Sequence, residues 1–232
     1  MTRPKLLIFD LDGTLIDSRR DLIECVNATL RHCNLPPLHD DRIAGFIGDG
    51  ATALVERSLQ ASAGDPSFRH HKALTFFLSY YREHLLDHTE VYPGVLSSLA
   101  ALMTSPNAPL MAVLTNKPVN PSRRICDALR LTPYFFGNYG GNSFTTKKPD
   151  PEGLLAIWRE AEQLGGERLQ AHEIIMVGDS EVDIRTARNA GIGAWGCMWG
   201  FATSKMLAEG PDALAQNATD WLALVQAGDG VP

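Results

Sequence analysis

The fold of this chain is decided near its start, by the stretch Leu6-Leu7-Ile8-Phe9-Asp10-Leu11-Asp12-Gly13-Thr14. Its four leading apolar residues predict a short strand that is buried on both faces, as in a parallel sheet. Asp10 comes where this strand ends, and open α/β sheets collect their ligands outside the carboxyl ends of their strands. Asp10 and Asp12 are two residues apart, so their side chains are expected to face the same side.

Two carboxylates this close together raise each other's pKa unless a cation lies between them. Carboxylate oxygens are hard ligands of the kind that Mg²⁺ prefers. Gly13 permits a sharp turn after the strand, and Thr14 adds a hydroxyl. The stretch therefore predicts a magnesium site at the end of the first strand. The alternative interpretation is an acidic turn without chemistry.

Length and composition restrict the classes of protein that need consideration. The chain has 232 residues, of which 44% are apolar and 21% are charged, as in an ordinary globular protein. Its net charge of −6 provides no basic field for nucleic acid or for an anionic membrane surface. No apolar stretch is long enough to span a bilayer, and the start does not resemble a signal peptide, so we expect a cytoplasmic protein. Monomer and homodimer both remain open.

Apolar residues recur at helical spacing from about residue 17 to residue 89, with no strand candidate among them. Ser18 followed by Asp21 predicts a capping box at the start of the first helix. A run of helices inside a chain that otherwise alternates strands and helices predicts an inserted helical domain. We therefore expect residues 17–89 to form that insert and residues 1–16 and 90–232 to form an α/β domain.

Further strand candidates follow the helical run. Three are apolar runs, and a fourth is rich in glycine: 109–114, 174–177, 193–198 and 137–141. Because they alternate with helical patterns, they predict βαβ units and a parallel sheet. The expected fold is α/β, with a Rossmann-like parallel sheet core and an inserted all-helical domain.

Polar side chains follow two of these strands, as they follow the first. Thr115 and Asn116 come after one apolar run, and Asp179 and Asp183 come after another. The carboxyl ends of parallel strands share one edge of the sheet, so these groups are expected to converge on Asp10. A carboxylate nucleophile, a hard cation and a lysine such as Lys148 together indicate phosphoryl transfer through an aspartyl-phosphate.

These motifs together resemble those of a known family. It is similar to the haloacid dehalogenase superfamily of aspartate-nucleophile phosphatases, whose motifs occur here in the family's order: Asp10-Leu11-Asp12-Gly13-Thr14, Thr115, Lys148-Pro149-Asp150-Pro151 and Gly178-Asp179-Ser180-Glu181-Val182-Asp183. The resemblance implies that Asp10 is the nucleophile and Asp12 the general acid and base. It also implies that Mg²⁺ is held by Asp10, by the backbone carbonyl of Asp12 and by Asp179.

The same resemblance assigns the remaining motif residues. Thr115, Asn116 and Lys148 would bind the phosphoryl oxygens, and Asp183 would orient either the metal's water molecules or Lys148. Lys148 is chosen over its neighbour Lys147 because the family pattern places the lysine directly before the proline. The helical insert resembles the family's cap, which closes over the site and selects the substrate.

Within this superfamily the chain is similar to the phosphoglycolate phosphatases, through Ile47-Gly48-Asp49-Gly50-Ala51, Thr115-Asn116-Lys117-Pro118 and Lys147-Lys148-Pro149-Asp150-Pro151. This resemblance implies a small phosphorylated carboxylic acid as substrate, with 2-phosphoglycolate first, converted to glycolate and phosphate. Gly48 and Gly50 would let backbone amides approach the substrate carboxylate. Their alternative interpretation is a glycine-rich turn between helices.

Competing functions remain. One is a sugar-phosphate phosphatase or a phosphomutase of the same superfamily, which would act on a sugar phosphate. A non-enzyme alternative is a receiver-like phosphate-sensing domain, which also uses an aspartate, a metal, a threonine and a lysine but is shorter and has no helical insert. Lys117 is expected only to cap or solvate its loop.

Overall fold

The computed structural model describes residues 3–65 and 67–227 of the chain. Its centre is a six-stranded sheet in the order β5-β4-β1-β6-β7-β8, in which all neighbouring strands are parallel. A separate two-stranded antiparallel sheet is formed by β2 and β3. The strands are β1 (Leu6–Phe9), β2 (Ile16–Asp17), β3 (Glu90–Val91), β4 (Leu110–Leu114), β5 (Gly137–Tyr139), β6 (Ile174–Gly178), β7 (Gly193–Cys197) and β8 (Ala213–Ala215).

Helices cover both faces of the parallel sheet and fill the stretch between β2 and β3. They are α1 (Arg19–His32), α2 (Asp40–Ala44), α3 (Ala51–Ala63), α4 (Ala73–His84), α5 (Val95–Thr104), α6 (Val119–Ala128), α7 (Glu152–Gly165), α8 (Glu181–Ala190), α9 (Thr203–Ala208) and α10 (Asp220–Gln226). Within the described residues, none of these helices is both long and apolar enough to cross a membrane.

The first strand is buried on both faces, as its unbroken apolar run predicts. Leu7 and Phe9 pack into one apolar cluster, with residues of α5, α6 and α10. Leu6 and Ile8 pack into a second cluster, with residues of α7, α8 and α9. Since side chains alternate along a strand, four consecutive apolar residues supply two to each face. This arrangement places β1 in the middle of the sheet with its carboxyl end free for the site.

The expected α/β fold with a parallel sheet is confirmed. The glycine-rich candidate near residue 137 is a strand, β5, which pairs with β4. Four of these strands and helices were not predicted, namely α9, the edge strand β8 and the two short strands β2 and β3. β8 is only three residues long and pairs with β7, so its sequence carries too little periodicity to identify it.

Residues 18–89, here called the helical segment, hold α1 to α4 between the two strands of the small sheet. Asp17 belongs to β2 and pairs with Glu90 of β3. β2 therefore runs one residue past the expected boundary, whereas β3 begins at residue 90, where the α/β domain was expected to resume. The segment's apolar residues, including Phe77 and Tyr81 of α4, continue one cluster of the sheet. The division into two domains at 17 and 89 stays a prediction.

The capping box expected at the start of α1 is wrong. Ser18 is the residue before α1, but its side chain makes no capping bond and donates instead to Asp12. Asp21 accepts hydrogen bonds from the backbone N–H groups of His88 and Thr89 and from the Thr89 hydroxyl. Tertiary partners thus replace the local capping partners of both side chains. Ser18 ties the helical segment to the loop after β1, and Asp21 ties the start of the helical segment to its end.

Candidate functional site

Asp10 lies at the carboxyl end of β1. Its backbone N–H donates to the carbonyl of Val177 at 2.9 Å, which extends the pairing of β1 with β6 by one residue. Gly13 then turns the chain with a φ of +85°, and a Cβ atom there would lie 2.3 Å from Oδ2 of Asp179. A glycine at position 13 therefore lets the loop after β1 come directly against the loop after β6.

Lys148 joins two buried carboxylates. Its Nζ lies 2.9 Å from Oδ1 of Asp10 and 2.6 Å from Oδ1 of Asp183, and its side chain is 2% exposed. Asp183 also accepts from the backbone N–H and the hydroxyl of Ser180, at the start of α8. Burial alone would lower the pKa of Lys148, but the charges of Asp10 and Asp183 raise it by more than burial lowers it. The net pKa is above its ordinary value, so the lysine stays charged.

Asp10, Asp179 and Asp183 form a compact acidic cluster, in which one oxygen of each lies within 4.8 Å of the others. Burial and then the charges of Asp183 and Asp10 raise the pKa of Asp179 to about 8. Burial, opposed by Lys148, raises the pKa of Asp10 to about 6. Buried oxygen donors that repel one another suit a hard divalent cation, so the residues present fit a metal ion.

The Asp12 carboxylate points away from this cluster. Both of its oxygens accept from Nζ of Lys117, at 2.8 and 2.9 Å, and one also accepts from the Ser18 hydroxyl. The side chain of Asp12 is thus engaged on the side of the helical segment. Any metal contact of Asp12 would use its backbone carbonyl, which is the contact that the family resemblance implies.

Thr115 and Asn116 follow β4 and reach the same region. Thr115 is buried, its N–H donates to the carbonyl of Tyr139, and its hydroxyl accepts from the N–H of Lys117. The amide nitrogen of Asn116 donates to the carbonyls of Gly48 and Lys148, at 3.1 and 3.0 Å. The Asn116 side chain therefore connects the helical segment to the lysine loop, whereas the sequence suggested only a phosphoryl contact.

Gly48 and Gly50 lie in the loop before α3, opposite Asn116. Both have positive φ angles, +125° and +85°. A Cβ atom at Gly50 would lie 2.8 Å from the backbone oxygen of Asn116, whereas a Cβ atom at Gly48 would meet nothing within 4 Å. Gly50 therefore permits the close approach of this loop to the sheet. Both glycines line the cavity described next, and their contact with a substrate carboxylate stays a prediction.

A narrow cavity of about 50 Å³ lies between the sheet and the helical segment. The polar side of its lining comes from the strand ends and the apolar side from the helices: Asp10, Asp12, Thr115, Asn116, Lys117, Leu22, Ile47, Gly48, Gly50, Ala51, Leu54, Phe77, Leu78, Tyr81 and Pro118. The helical segment therefore supplies one wall of the site.

The structure brings together most of the residues that the sequence singled out and adds two. Asp10, Asp179, Lys148 and Asp183 are in one cluster. The sequence analysis missed Lys117, which it assigned to the loop surface but which is buried against Asp12. It also missed Tyr81, whose apolar spacing on α4 indicated only core packing. The position of Lys117 directly after Thr115-Asn116 was the one available signal.

Comparison with known proteins agrees with this geometry. The sequence model of the haloacid dehalogenase-like hydrolases matches residues 7–196. The phosphoglycolate phosphatase of Chromobacterium violaceum is 37% identical over 228 residues, which are 97% of each chain. That of Rhodospirillum rubrum is 34% identical over 233 residues, covering 97% of this chain and 93% of the relative. These relatives confirm the expected phosphatase and argue against a receiver-like domain.

Solved structures show the same fold. A crystal structure described as a predicted phosphoglycolate phosphatase from Haemophilus somnus matches with a TM-score of 0.86 and 30% identity. The match covers 97% of this chain and 100% of that one. The family's sequence model also spans the first strand, the helical segment and the strands that carry the acidic cluster. This chain therefore belongs to the haloacid dehalogenase-like hydrolases.

Proposed function

We propose that this phosphatase hydrolyses phosphomonoesters with Mg²⁺ and an aspartyl-phosphate intermediate, and that its substrate is 2-phosphoglycolate. The observation that carries the proposal is the convergence of three separate loops. The loop after β1 brings Asp10, the loop before α7 brings Lys148, and the loop after β6 brings Asp179 and Asp183. This reaction requires a carboxylate nucleophile, a positively charged side chain held beside it and a cluster of acids that binds a metal cation.

The metal ion would be held by Asp10, by the carbonyl of Asp12 and by Asp179. When bound, Mg²⁺ neutralises charge on the transferring phosphoryl group. Thr14 and the backbone N–H of Phe201 donate to the two oxygens of Asp179, which fixes the orientation of that carboxylate. Asp183 is occupied by Lys148 and Ser180, so we assign it to holding the lysine.

In the reaction, an oxygen of Asp10 attacks phosphorus and the ester P–O bond breaks. The leaving oxygen takes a proton from Asp12. A water molecule then attacks the phosphorus of the aspartyl-phosphate, Asp12 accepts the proton of that water, and Asp10 is released with inorganic phosphate. Lys148, beside Asp10, stabilises the negative charge on the phosphoryl oxygens, and Thr115 and the Asn116 loop bind the same oxygens.

The helical segment is proposed to act as the cap of the site. It contributes the apolar wall of the cavity and the glycine loop at 48–50. The cavity is narrow, and the two relatives reported above bear the name phosphoglycolate phosphatase. These two facts together favour a small phosphorylated carboxylic acid over the sugar phosphates of the alternative function.

A panel of substrates with Mg²⁺ tests the proposal. We expect 2-phosphoglycolate to have a higher kcat/KM than 2-hydroxyethyl phosphate, glucose phosphates and nucleoside monophosphates, with release of free phosphate that a chelator abolishes. Isomerised sugar phosphate in place of free phosphate would indicate a phosphomutase. Equal kcat/KM values for all substrates would reject 2-phosphoglycolate while leaving the phosphatase reaction in place.

A further inference from the structure

Lys117 is a buried cation that the mechanism above does not use. Its side chain is 3% exposed, and its Nζ donates to both oxygens of Asp12. Burial alone would lower the pKa of Lys117, but the charge of Asp12 raises it by more than burial lowers it, so the lysine keeps its charge. A buried charge that serves only to neutralise another gives little net stability compared with an apolar pair. Its position next to the proposed general acid calls for a second role.

Tyr81 covers this lysine from the helical segment. Nζ of Lys117 lies 4.9 Å from the centre of the Tyr81 ring, a cation–π distance. The Tyr81 hydroxyl is buried and makes no hydrogen bond of normal geometry with the described residues. Buried hydroxyls are nearly always paired, so an unpaired one on the wall of a cavity indicates a polar group that a ligand satisfies.

The covalent structure of 2-phosphoglycolate places its carboxylate, the second anionic group of the substrate, beside Lys117 and Tyr81. A general acid must lie within about 3 Å of the ester oxygen that it protonates. The carboxylate carbon of 2-phosphoglycolate is two covalent bonds from that oxygen, and Lys117 is one hydrogen bond from Asp12. A phosphoglycolate whose ester oxygen contacts Asp12 therefore has its carboxylate beside Lys117 and Tyr81.

Other groups are poorly suited to bind this carboxylate. Lys148 is held between Asp10 and Asp183 on the phosphoryl side. Among the described residues that line the cavity, Lys117 is the one lysine or arginine, and the helical wall around it is largely apolar. The loop of Gly48 and Gly50 offers only partial charges from backbone groups, whereas Lys117 offers a full positive charge to a carboxylate.

We propose that Lys117 and Tyr81 determine substrate specificity by binding the carboxylate of the substrate, with Lys117 exchanging part of its contact with Asp12 for the ligand. The inference rests on the proposed function, because it takes 2-phosphoglycolate as the substrate. It adds the groups that distinguish a phosphorylated carboxylic acid from a phosphorylated alcohol. Lys117 also orients Asp12, so its removal has two effects that the experiment must separate.

The test compares two substrates in matched variants. 2-Hydroxyethyl phosphate has the same length as 2-phosphoglycolate but carries a hydroxymethyl group in place of the carboxylate. We expect Lys117→Met to lower the ratio of kcat/KM for phosphoglycolate to kcat/KM for hydroxyethyl phosphate by about 100-fold. Tyr81→Phe, which removes a single oxygen, is expected to lower it by about fivefold. Lys72→Met, at an exposed lysine before α4, is the control and leaves the ratio unchanged.

The outcomes separate the two proposals. An equal fall of kcat/KM for both substrates in Lys117→Met would mean that Lys117 acts only through Asp12, and would overturn the inference while the proposed function stands. A wild-type protein without preference for phosphoglycolate would overturn both the inference and the choice of 2-phosphoglycolate as substrate, while the phosphatase reaction would stand. If Lys117→Met does not fold, as judged by thermal unfolding, the ratio is measured in Lys117→Gln, whose amide still donates to Asp12. Should that variant also be unfolded, the ratio in Tyr81→Phe decides.

Discussion

The site contains two buried lysines that pair with aspartates of the same loop, yet they differ in their surroundings. Lys148 lies between Asp10 and Asp183 and is enclosed by loops of the parallel sheet alone. Lys117 pairs with Asp12 and lies beneath Tyr81, which belongs to the helical segment. The first pair is part of the sheet's rigid edge, and the second is shared between the two parts of the molecule.

This difference suggests a division of labour. Groups that touch the reacting phosphoryl group lie on the sheet edge, where strand ends hold them in place independently of the substrate's other end. Groups that meet the remainder of the substrate lie where the helical segment covers the sheet. When one reaction serves many substrates, the reacting groups are expected on a rigid scaffold and the groups that select the substrate on loops or inserts attached to it. Four predictions test this division, from the largest effect to the smallest.

The largest effect is expected at the nucleophile. Asp10→Asn removes the attacking carboxylate and should lower kcat by about 10⁴-fold or more for every substrate. Phosphate release measures the effect, and thermal unfolding checks that the variant is folded. Asp40→Asn, at an exposed acid of α2, is the matched control and should retain wild-type turnover. Undiminished activity of Asp10→Asn would exclude Asp10 as the nucleophile.

Removing the lysine of the sheet edge is expected to cost both stability and rate. Lys148→Met leaves Asp10 and Asp183 buried without their counter-ion, which should lower the free energy of unfolding by about 3–5 kcal/mol. It should also lower kcat/KM for phosphoglycolate and hydroxyethyl phosphate by the same factor, unlike Lys117→Met. Denaturant unfolding and the two-substrate assay measure these effects.

Lys147→Met is the control for this prediction, because Lys147 is adjacent and exposed. Its Nζ donates a hydrogen bond to the backbone oxygen of Asp49 and neutralises no buried carboxylate among the described residues. It should keep nearly full stability. A loss of stability and rate at Lys147 that exceeds the loss at Lys148 would transfer the proposed role to the neighbouring lysine.

Magnesium is expected to stabilise the fold through the acidic cluster. A ligand at a hundred times its Kd contributes about 2.7 kcal/mol, which for a chain of this size raises Tm by roughly 5–10 °C. Asp179→Asn should abolish this rise, since Asp179 is in the cluster. Asp12→Asn should retain it, because the Asp12 carboxylate faces Lys117 instead. Loss of the rise in Asp12→Asn alone would contradict the proposed ligand set.

The smallest effect concerns the contact between the helical segment and the sheet. Gly50→Ala and Gly64→Ala both place a side chain at a positive φ, at a cost of about 1 kcal/mol for Gly64 in the left-handed helical region and about 1–3 kcal/mol for Gly50, whose ψ is 171°. Only Gly50 has the Asn116 oxygen at 2.8 Å from the added Cβ, whereas Gly64 has open space. We expect KM to rise about threefold to tenfold in Gly50→Ala, from steady-state kinetics, and to stay unchanged in Gly64→Ala. Equal KM values in both variants would show that the loop does not need this close approach.

Much of the fold could be predicted because its strands are marked by strong local patterns. The runs before Asp10, Thr115 and Asp179 are apolar, buried on both faces and followed directly by polar groups. Parallel pairing then brings those ends to one edge, which is a property of the topology and requires no side-chain detail. The unpredicted strand β8 shows the limit, because three residues at a sheet edge carry almost no periodicity.

Local patterns failed where a side chain had two candidate partners. Ser18 and Asp21 fit a capping box, but Asp12 and the backbone of His88 and Thr89 took their hydrogen bonds. Lys117 fits an exposed loop residue, but the helical segment covers it. In each case the outcome depends on which group lies opposite in the folded chain, and sequence spacing does not contain that information.

The sequence by itself determined the order of five strands of the parallel sheet along the chain, the buried character of β1, β4 and β6, and the acids, threonine and lysine in the loops around them. These follow from apolar periodicity and from a motif order typical of one family. The tertiary structure alone decided which carboxylate faces which lysine and which helix covers the site. Those choices depend on distances of a few ångströms between residues 35 to 105 or more positions apart, and only packing sets such distances.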